Sequence, residues 1–173
     1  MILIFLNRIY RAIKIDVDLY EEVEKDKKAT IQAGLVVVIS SLAAGVGAIQ
    51  LGASNFLLAP IMSLLSWYIW AYLIYFIGVK LFPEPNTQAD HGQLLRTIGF
   101  SSAPGLIRII GFTPELMSIT FIGAGIWMLI AMIIAVRQAL DYQSTWRAIG
   151  VVVIGFLVQA IVLIMLLRIF GPA

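Results

Sequence analysis

The stretch that decides the fold is ATIQAGLVVVISSLAAGVGAIQLGASNFLLAPIMSLLSWYIWAYLIYFIGV, residues 29–79, which contains no Asp, Glu, Lys, Arg or His. A helix needs about 20 apolar residues to cross the hydrocarbon core of a bilayer. The stretch is therefore long enough for two spans, about 29–51 and about 56–79, joined by a tight turn. We interpret it as a helical hairpin whose two ends lie on the same side of a membrane.

The rest of the chain continues this pattern. Apolar residues make up 61% of the sequence and charged residues 13%, against about 25% charged in soluble domains. Further apolar segments at about 97–112, 116–136 and 148–167 predict three more spans. We therefore predict an all-α polytopic protein with five transmembrane helices, in which a membrane domain at 29–173 follows a cytoplasmic segment at 1–28. Because segment 97–112 is short and contains Gly and Pro, a re-entrant hairpin is the alternative for it.

The first 28 residues predict two short helices. Apolar residues recur with helical spacing and form a stripe made of Ile2, Phe5, Ile9, Ile13, Val17 and Tyr20. Arg8, Arg11 and Lys14 flank this stripe. Such a stripe with basic flanks is typical of an amphipathic helix that lies in the membrane interface. A second helix at about 18–28, capped by Asp18 and Glu21, would lead into the first span.

Lysine and arginine are distributed unequally between the two sides that five spans would create. With the N-terminus inside, ten of these residues fall in inside segments and only Arg168 falls outside. The positive-inside rule therefore places the N-terminus in the cytoplasm and the C-terminus outside. A re-entrant 97–112 would instead put Arg137 and Arg147 outside. We expect a multi-pass protein of the plasma membrane, the inner membrane of a bacterium.

Composition excludes several functions. The chain has no Cys and one His, and no nucleophile–base or nucleotide-binding motif occurs, so we expect no enzyme, no catalytic residue, no metal and no cofactor. The net charge of +2 is small and its charges are segregated, which argues against nucleic acid as a partner. His91 stands alone in a polar loop and is expected to be exposed.

Arg108 is the residue with the highest cost of insertion. A central intramembrane Arg costs roughly 2.5–3.5 kcal/mol even on lenient insertion scales. It is interpreted either as part of a site for an anion or a lipid headgroup, or as a structural Arg that reaches the interface or pairs with Glu115. The residues alone favour the structural interpretation.

The second span carries a tyrosine face made of Tyr68, Tyr72 and Tyr75. Hydroxyl groups in hydrocarbon need partners, so this face is expected to point inward. It could line a groove for a lipid or small molecule, or simply pack as part of an aromatic belt. Glycine and alanine on several spans predict close helix packing without a further function.

Two short motifs resemble those of the Yip family, the Ypt/Rab-interacting membrane proteins. Asp18-Leu19-Tyr20 resembles the Asp-Leu-Tyr-Gly-Pro motif, and the stretch from Gly99 and Phe100 to Pro104 resembles the second motif. The bacterial branch looks closer still, on Leu95–Phe100 and Ala135–Leu140. The resemblance covers nearly the whole chain and implies a cytoplasmic N-terminus, a hairpin of two spans and three further spans.

The resemblance also implies roles in vesicle trafficking, Rab binding and membrane shaping. Glu21 and Glu22 replace the Gly-Pro of the first motif, and about 28 cytoplasmic residues leave little surface for a GTPase, so we do not expect GTPase binding. Our first hypothesis is a non-enzymatic scaffold or adaptor that contacts membrane lipids and other membrane proteins, with a homo-oligomer as the expected state. The alternative is a channel or carrier for a small solute, ion or lipid.

Overall fold

A computed structural model describes residues 2–49 and 58–170, and this part of the chain is built from helices. The α-helices, in chain order, are α1 (Ile2–Ile13), α2 (Val17–Lys25), α3 (Ala29–Gly47), α4 (Leu58–Tyr75), α5 (His91–Phe100), α6 (Pro114–Ala139) and α7 (Thr145–Phe170). A π-helical turn, Phe76–Leu81, continues α4, and a 3₁₀ helix, Ala103–Gly111, follows α5. The turn predicted at residues 51–56 lies outside the described residues.

Four helices of the described part, α3, α4 with its continuation, α6 and α7, are long and apolar enough to cross a membrane. They coincide with four of the five predicted spans. Small residues occupy the inward face of α6, where Ala124, Ala131 and Ala135 are fully buried. Since side chains on the outward faces are apolar as well, these helices suit a lipid environment on one side and a packed interior on the other.

The segment predicted as the third span is divided between two short helices. Helix α5 ends at Phe100, and the 3₁₀ helix begins at Ala103 after two intervening residues, with Pro104 in its first turn. A proline there removes an N–H donor that an uninterrupted α-helix would need. The predicted segment 97–112 is thus not one continuous helix.

Residues 91–111 nevertheless run alongside α3 for most of its length. A Cβ atom on Gly99 would lie 2.7 Å from the Cβ of Ala33, and one on Gly105 would collide with Ser40. A Cβ on Gly47, at the end of α3, would collide with the carbonyl of Arg108. The contacts advance along both segments in the same direction, so residues 91–111 run parallel to α3. Glycine permits this close approach because it has no side chain.

The ends of several helices meet on the side where α2 lies. Gln138 near the end of α6 donates to Glu21 of α2 at 3.2 Å. The Tyr142 hydroxyl donates to the carbonyl of Gly78 at 3.0 Å, and Arg147 pairs with Glu84 at 3.2 Å. The end of α4 and the α6–α7 connection therefore share the α2 side.

Helix α1 is attached to α2 by ion pairs. Arg8 is 7% exposed, and its guanidinium donates to Glu22 at 2.8 Å, to Asp26 at 2.9 Å and to Gln32 at 2.8 Å. Arg11 pairs with Asp16 and Glu22. These two arginines therefore contact protein carboxylates, whereas the sequence predicted them as flanks facing lipid headgroups. The interfacial position of residues 2–17 stays a prediction.

The predicted apolar stripe of α1 faces the protein for most of its length. Phe5, Ile9 and Ile13 pack on a core that also contains Tyr20, whereas Ile2 and Val17 are exposed. The outward side of α1 presents a different apolar set, Leu3, Ile4, Leu6 and Tyr10. Helix α1 is therefore apolar on two sides in its first half, which the single stripe did not predict.

The two family-like motifs meet in this core. Leu19 and Tyr20 from the first motif and Phe100 from the second are fully buried in one cluster, and Asp18 is exposed. Pro104 is buried as well. The predicted cap of α2 is wrong by two residues, because Asp16 is the N-cap and its side chain accepts from the Asp18 N–H. The motif residues therefore serve to join α2 to α5.

Candidate functional site

A cavity of about 350 Å³ lies between α3, α4, α6, α7 and the segment after α5. Its volume is within the range of about 300–1,000 Å³ usual for small-molecule sites. It is lined by Arg108, Gln159 and six serines, Ser40, Ser41, Ser63, Ser66, Ser101 and Ser102, and we call it the serine cavity. Polar side chains in membrane-spanning segments usually face such interior spaces and mark functional sites.

Arg108 lines the serine cavity without a carboxylate partner among the described residues. One Nη donates to the sulfur of Met128 at 3.1 Å, and the guanidinium carbon lies 5.6 Å from the centre of the Phe121 ring. Its Nε is buried and has no hydrogen-bond partner in the described part of the chain. Thioether sulfur is a weak acceptor, so most of the donor capacity of this guanidinium is unused.

Glu115 does not provide the missing charge. It is exposed at the start of α6, and no ion pair joins it to Arg108 in the described structure. The pairing considered from the sequence is therefore not formed. Arg108 is half-buried beside the cavity, which leaves a positive charge facing a polar interior space.

The serines divide into two groups. Ser41, Ser63 and Ser101 each donate to a carbonyl three residues earlier in the chain, at 2.8, 2.9 and 2.7 Å. The second group is Ser40, Ser66 and Ser102. In the described part of the chain, residues 2–49 and 58–170, their hydroxyls donate to no backbone carbonyl. A hydroxyl that donates to its own helix keeps its oxygen as an acceptor, whereas the second group can also donate to a ligand.

Two tryptophans form the apolar wall of the serine cavity. The Trp67 indole N–H donates to the carbonyl of Leu95 at 3.0 Å, and that of Trp70 donates to the sulfur of Met132 at 3.3 Å. The Trp70 ring lies 4.7 Å from the ring of Phe156 on α7. Since both indole donors have partners, these rings contribute shape and apolar surface rather than hydrogen bonds to a ligand.

The prediction that the tyrosine face points inward is wrong for Tyr68 and Tyr72, whereas Tyr75 is half-buried and packs against the core. Tyr68 and Tyr72 are 55% and 57% exposed, and the inward face of α4 is formed by Trp70, Ala71 and Ile74 instead. The tyrosine rings surround His91, with ring centres at 4.9 Å for Tyr68, 5.7 Å for Tyr72 and 6.5 Å for Tyr75. His91 is therefore half-buried at the start of α5 and not a free loop residue.

The sequence reasoning missed the serines and Gln159, although a signal was present. Gln159 is the only side chain with a hydrogen-bonding group in the last apolar segment, 148–167. Serines occur as pairs at 40–41 and 101–102 and one turn apart at 63 and 66. Three apolar segments that each carry two serines close together are a pattern that interior polar faces produce.

A second buried polar group lies on the α2 side, outside the spans. Glu24 is 6% exposed, and its carboxylate accepts from the Gln93 side chain at 2.9 Å. Arg96 is 5% exposed, and its Nε donates to the carbonyls of Val23 and Glu24 at 2.9 and 3.1 Å. Burial, with added repulsion from Asp141 and Glu21, raises the pKa of Glu24 to about 7. This junction of α2 and α5 therefore contains a carboxyl that changes charge near neutral pH.

Within the described residues no group of three or more His, Asp or Glu side chains is arranged to hold a metal ion. No curated protein and no solved structure matches the chain. The Yip1 domain matches residues 18–167, which includes α2 with its Asp18-Leu19-Tyr20, all four long helices and the divided segment between α4 and α6. With a match over most of its length, this membrane protein belongs to the Yip1 domain family.

Proposed function

We propose that this protein is a non-enzymatic carrier or receptor that binds a small anionic group in the serine cavity. The ligand chemistry is that of a phosphate or carboxylate, on a free solute or on a lipid. One observation carries the proposal: Arg108 faces a polar interior space with no carboxylate partner in the described structure. The proposal corresponds to the carrier alternative rather than to the scaffold hypothesis.

The energetics of Arg108 support this proposal. A guanidinium at membrane depth has a cost of roughly 2.5–3.5 kcal/mol, which an intramolecular ion pair would ordinarily offset. A bound anion would supply the same compensation, and the planar guanidinium suits two-point binding of phosphate or carboxylate. Ser40 and Ser102 lie on the same cavity and could donate to further ligand oxygens.

The test is anion binding by purified full-length protein. Calorimetry with inorganic phosphate and with phosphatidic acid in mixed micelles would compare the wild type with Arg108→Gln. Each charge-assisted hydrogen bond contributes about 1.5–3 kcal/mol, so the variant is expected to bind roughly ten- to a hundred-fold more weakly. Arg168→Gln, which removes the same charge from the exposed end of α7, is the matched control and should bind like the wild type.

Equal loss of binding in both variants would identify general electrostatic attraction instead of a site. Binding that survives in Arg108→Gln would refute the proposal. Flux through reconstituted liposomes then separates a carrier from a receptor, because a receptor binds the anion without transporting it.

We also propose five crossings of the membrane, with residues 91–111 as the third. The supporting observation is that this segment follows α3 for most of its length, from Ala33 to Gly47. The lysine and arginine distribution then favours a cytoplasmic N-terminus and an outside C-terminus. The resemblance to the bacterial branch of the family supports the plasma membrane of a bacterium, its inner membrane, as the location.

A scaffold or adaptor is the second candidate, and it also has a specific observation in its favour. Leu3, Ile4 and Leu6 on α1 point outward, and a Cβ at Gly123 or Gly125 of α6 would meet no neighbour. These surfaces suit contacts with membrane lipids, other membrane proteins or a second copy of this chain. Crosslinking of Leu3→Ser/Leu6→Ser in intact membranes tests it, since unchanged crosslinked species would count against this role.

A further inference from the structure

An apolar groove of about 290 Å³ lies between α4 and α7, beside the serine cavity. Its walls are formed mainly by Ile69 and Leu73 of α4, by Phe76 of the π-helical turn that continues α4, and by Val158 and Val162 of α7. We call it the α4–α7 groove. It adjoins the serine cavity because the two share three lining residues, Ser66, Trp70 and Gln159.

Polarity changes sharply across this junction. Arg108 and the serines line the cavity side. On the groove side, among the described residues, only the Tyr72 hydroxyl and the shared Ser66, Gln159 and Trp70 indole add polar side-chain atoms to a hydrocarbon lining. Ser66 and Gln159 are exposed side chains at the boundary. A ligand that occupied both spaces would need a compact anionic group joined directly to an apolar chain.

The packing of α4 against α7 fixes where the groove runs. A Cβ on Gly155 would lie 3.1 Å from the side chains of Trp70 and Ile74, so the two helices are in close contact there. Ile69 and Val162 lie on the outer edge of the same helix pair and are 57% and 49% exposed. The groove is thus open along its length to the surroundings of the bundle, which for spanning helices is lipid.

We propose that the ligand is a single-chain anionic amphiphile, with its anionic group at Arg108 and its alkyl chain in the α4–α7 groove. This inference rests on the proposed function and specifies its substrate class. Two observations support it: the charge complementarity at Arg108, and the continuity of the groove with the serine cavity. The groove volume, at the lower end of the usual range for ligand sites, suits one chain rather than two.

The experiment measures how affinity depends on the alkyl chain. Inorganic phosphate and dodecyl phosphate are titrated into full-length protein in a steroid-based non-ionic detergent, which has no alkyl chain to compete. Each buried methylene contributes about 0.8 kcal/mol, or roughly fourfold in affinity. The wild type is expected to bind dodecyl phosphate at least a hundredfold more tightly than phosphate.

Val162→Trp fills the groove, and Ile161→Trp adds the same ring at the neighbouring exposed position, which does not line it. We expect Val162→Trp to bind dodecyl phosphate at least tenfold more weakly with phosphate affinity changed less than twofold. Ile161→Trp should behave like the wild type. Ile69→Trp, which fills the groove from α4, gives a second variant if Val162→Trp does not fold.

Two outcomes separate this inference from the proposed function. If Arg108→Gln weakens both probes while Val162→Trp and Ile69→Trp weaken neither, the anion site stands and the alkyl-chain inference is overturned. If Arg108→Gln binds phosphate like the wild type, the proposed function itself fails. Equal weakening of dodecyl phosphate by Val162→Trp and Ile161→Trp also overturns the inference, because general hydrophobic changes would explain it.

Discussion

Replacing Glu24 by Gln should raise the stability of the protein at pH 8 and remove the loss of stability that this carboxyl causes between pH 4.5 and 8. The carboxyl is 6% exposed between α2 and α5, and burial is the largest cause of its raised pKa. Asp141 and Glu21 add repulsion, whereas Lys25 and Arg96 act in the opposite direction. The net effect raises the pKa from an ordinary 4.5 to about 7.

The direction in which stability changes with pH follows from proton binding. Between pH 4.5 and 7 the native chain holds the Glu24 proton while the unfolded chain has released it, so the free energy of unfolding falls as pH rises. The stabilisation is complete below pH 4.5 and is lost as pH rises through 7. One pKa unit corresponds to about 1.4 kcal/mol, so the full loss is about 3 kcal/mol. A glutamine stays neutral and can still accept from Gln93, so the variant avoids this loss.

Thermal unfolding in one detergent, measured from pH 5 to pH 8.5, checks this prediction. For chains of this size 1 kcal/mol corresponds to about 2–4 °C in Tm, so the wild type should lose several degrees over this range relative to Glu24→Gln. Glu115→Gln makes the same chemical change at an exposed position and is the control. Parallel pH profiles of the wild type and Glu24→Gln would refute the reasoning, because another group would then be responsible.

Three further predictions concern the fold. Arg8→Gln removes the charge-assisted bonds between α1 and α2, so it should lower the free energy of unfolding by about 1.5–3 kcal/mol and speed protease cleavage between those helices. Unchanged cleavage would show that α1 and α2 stay together without the Arg8 bonds. Gly99→Ala should lower the free energy of unfolding, measured by thermal unfolding, by about 1–3 kcal/mol because its Cβ would lie 2.7 Å from that of Ala33. Adding Ala33→Gly should restore most of the lost stability, and a double variant as unstable as Gly99→Ala would place the strain elsewhere. Because the chain has no Cys, single cysteines can be labelled to test the third crossing: Asn86→Cys should react with a thiol reagent only in permeabilised cells, and Glu115→Cys should react in intact cells. Labelling of both from the same side would contradict the third crossing.

The long helices were predictable because their lengths follow from the bilayer. An uncharged run such as 29–79 leaves few alternatives to a pair of spans, and α3 and α4 lie where this run predicts them. The division of residues 97–112 was only partly predictable. Pro104 and the glycines around it indicated an irregular backbone, but whether that backbone turns back or continues depends on its contacts with α3.

The inward face of α4 could not be predicted from its pattern, because the helix is apolar on every side. A soluble helix buries its apolar stripe, but a membrane helix meets apolar groups both inside the bundle and outside it, so hydrophobicity does not distinguish the two faces. Tyr68 and Tyr72 were expected to turn inward for the sake of their hydroxyls. Trp67 and Trp70 took that position, and their indole donors found partners in the 91–111 segment and α6.

The ion pairs of α1 were hidden for a different reason. Arg8 and Glu22 are fourteen residues apart, and no helical spacing connects them. They meet because the chain reverses at Ile15, whose φ of 57° is unusual for a β-branched residue and gave no signal in the sequence. Arg8 and Arg11, which the sequence predicted as the basic flanks of an interfacial helix, are therefore part of a tertiary junction.

Sparse polar residues are the signal that remains useful inside the spans. A single Gln159 in an apolar helix has an insertion cost, and its side chain lies where the serine cavity meets the α4–α7 groove. Ser66 lines the same junction of cavity and groove as Gln159, and Ser40 lies opposite Gly105 on the cavity wall. In α4 the inward face is formed by Trp70, Ala71 and Ile74, and Ser66 lies at its edge where it still lines the serine cavity. Ser40, Ser66 and Gln159, together with Arg108, therefore line one cavity that the tyrosines do not line.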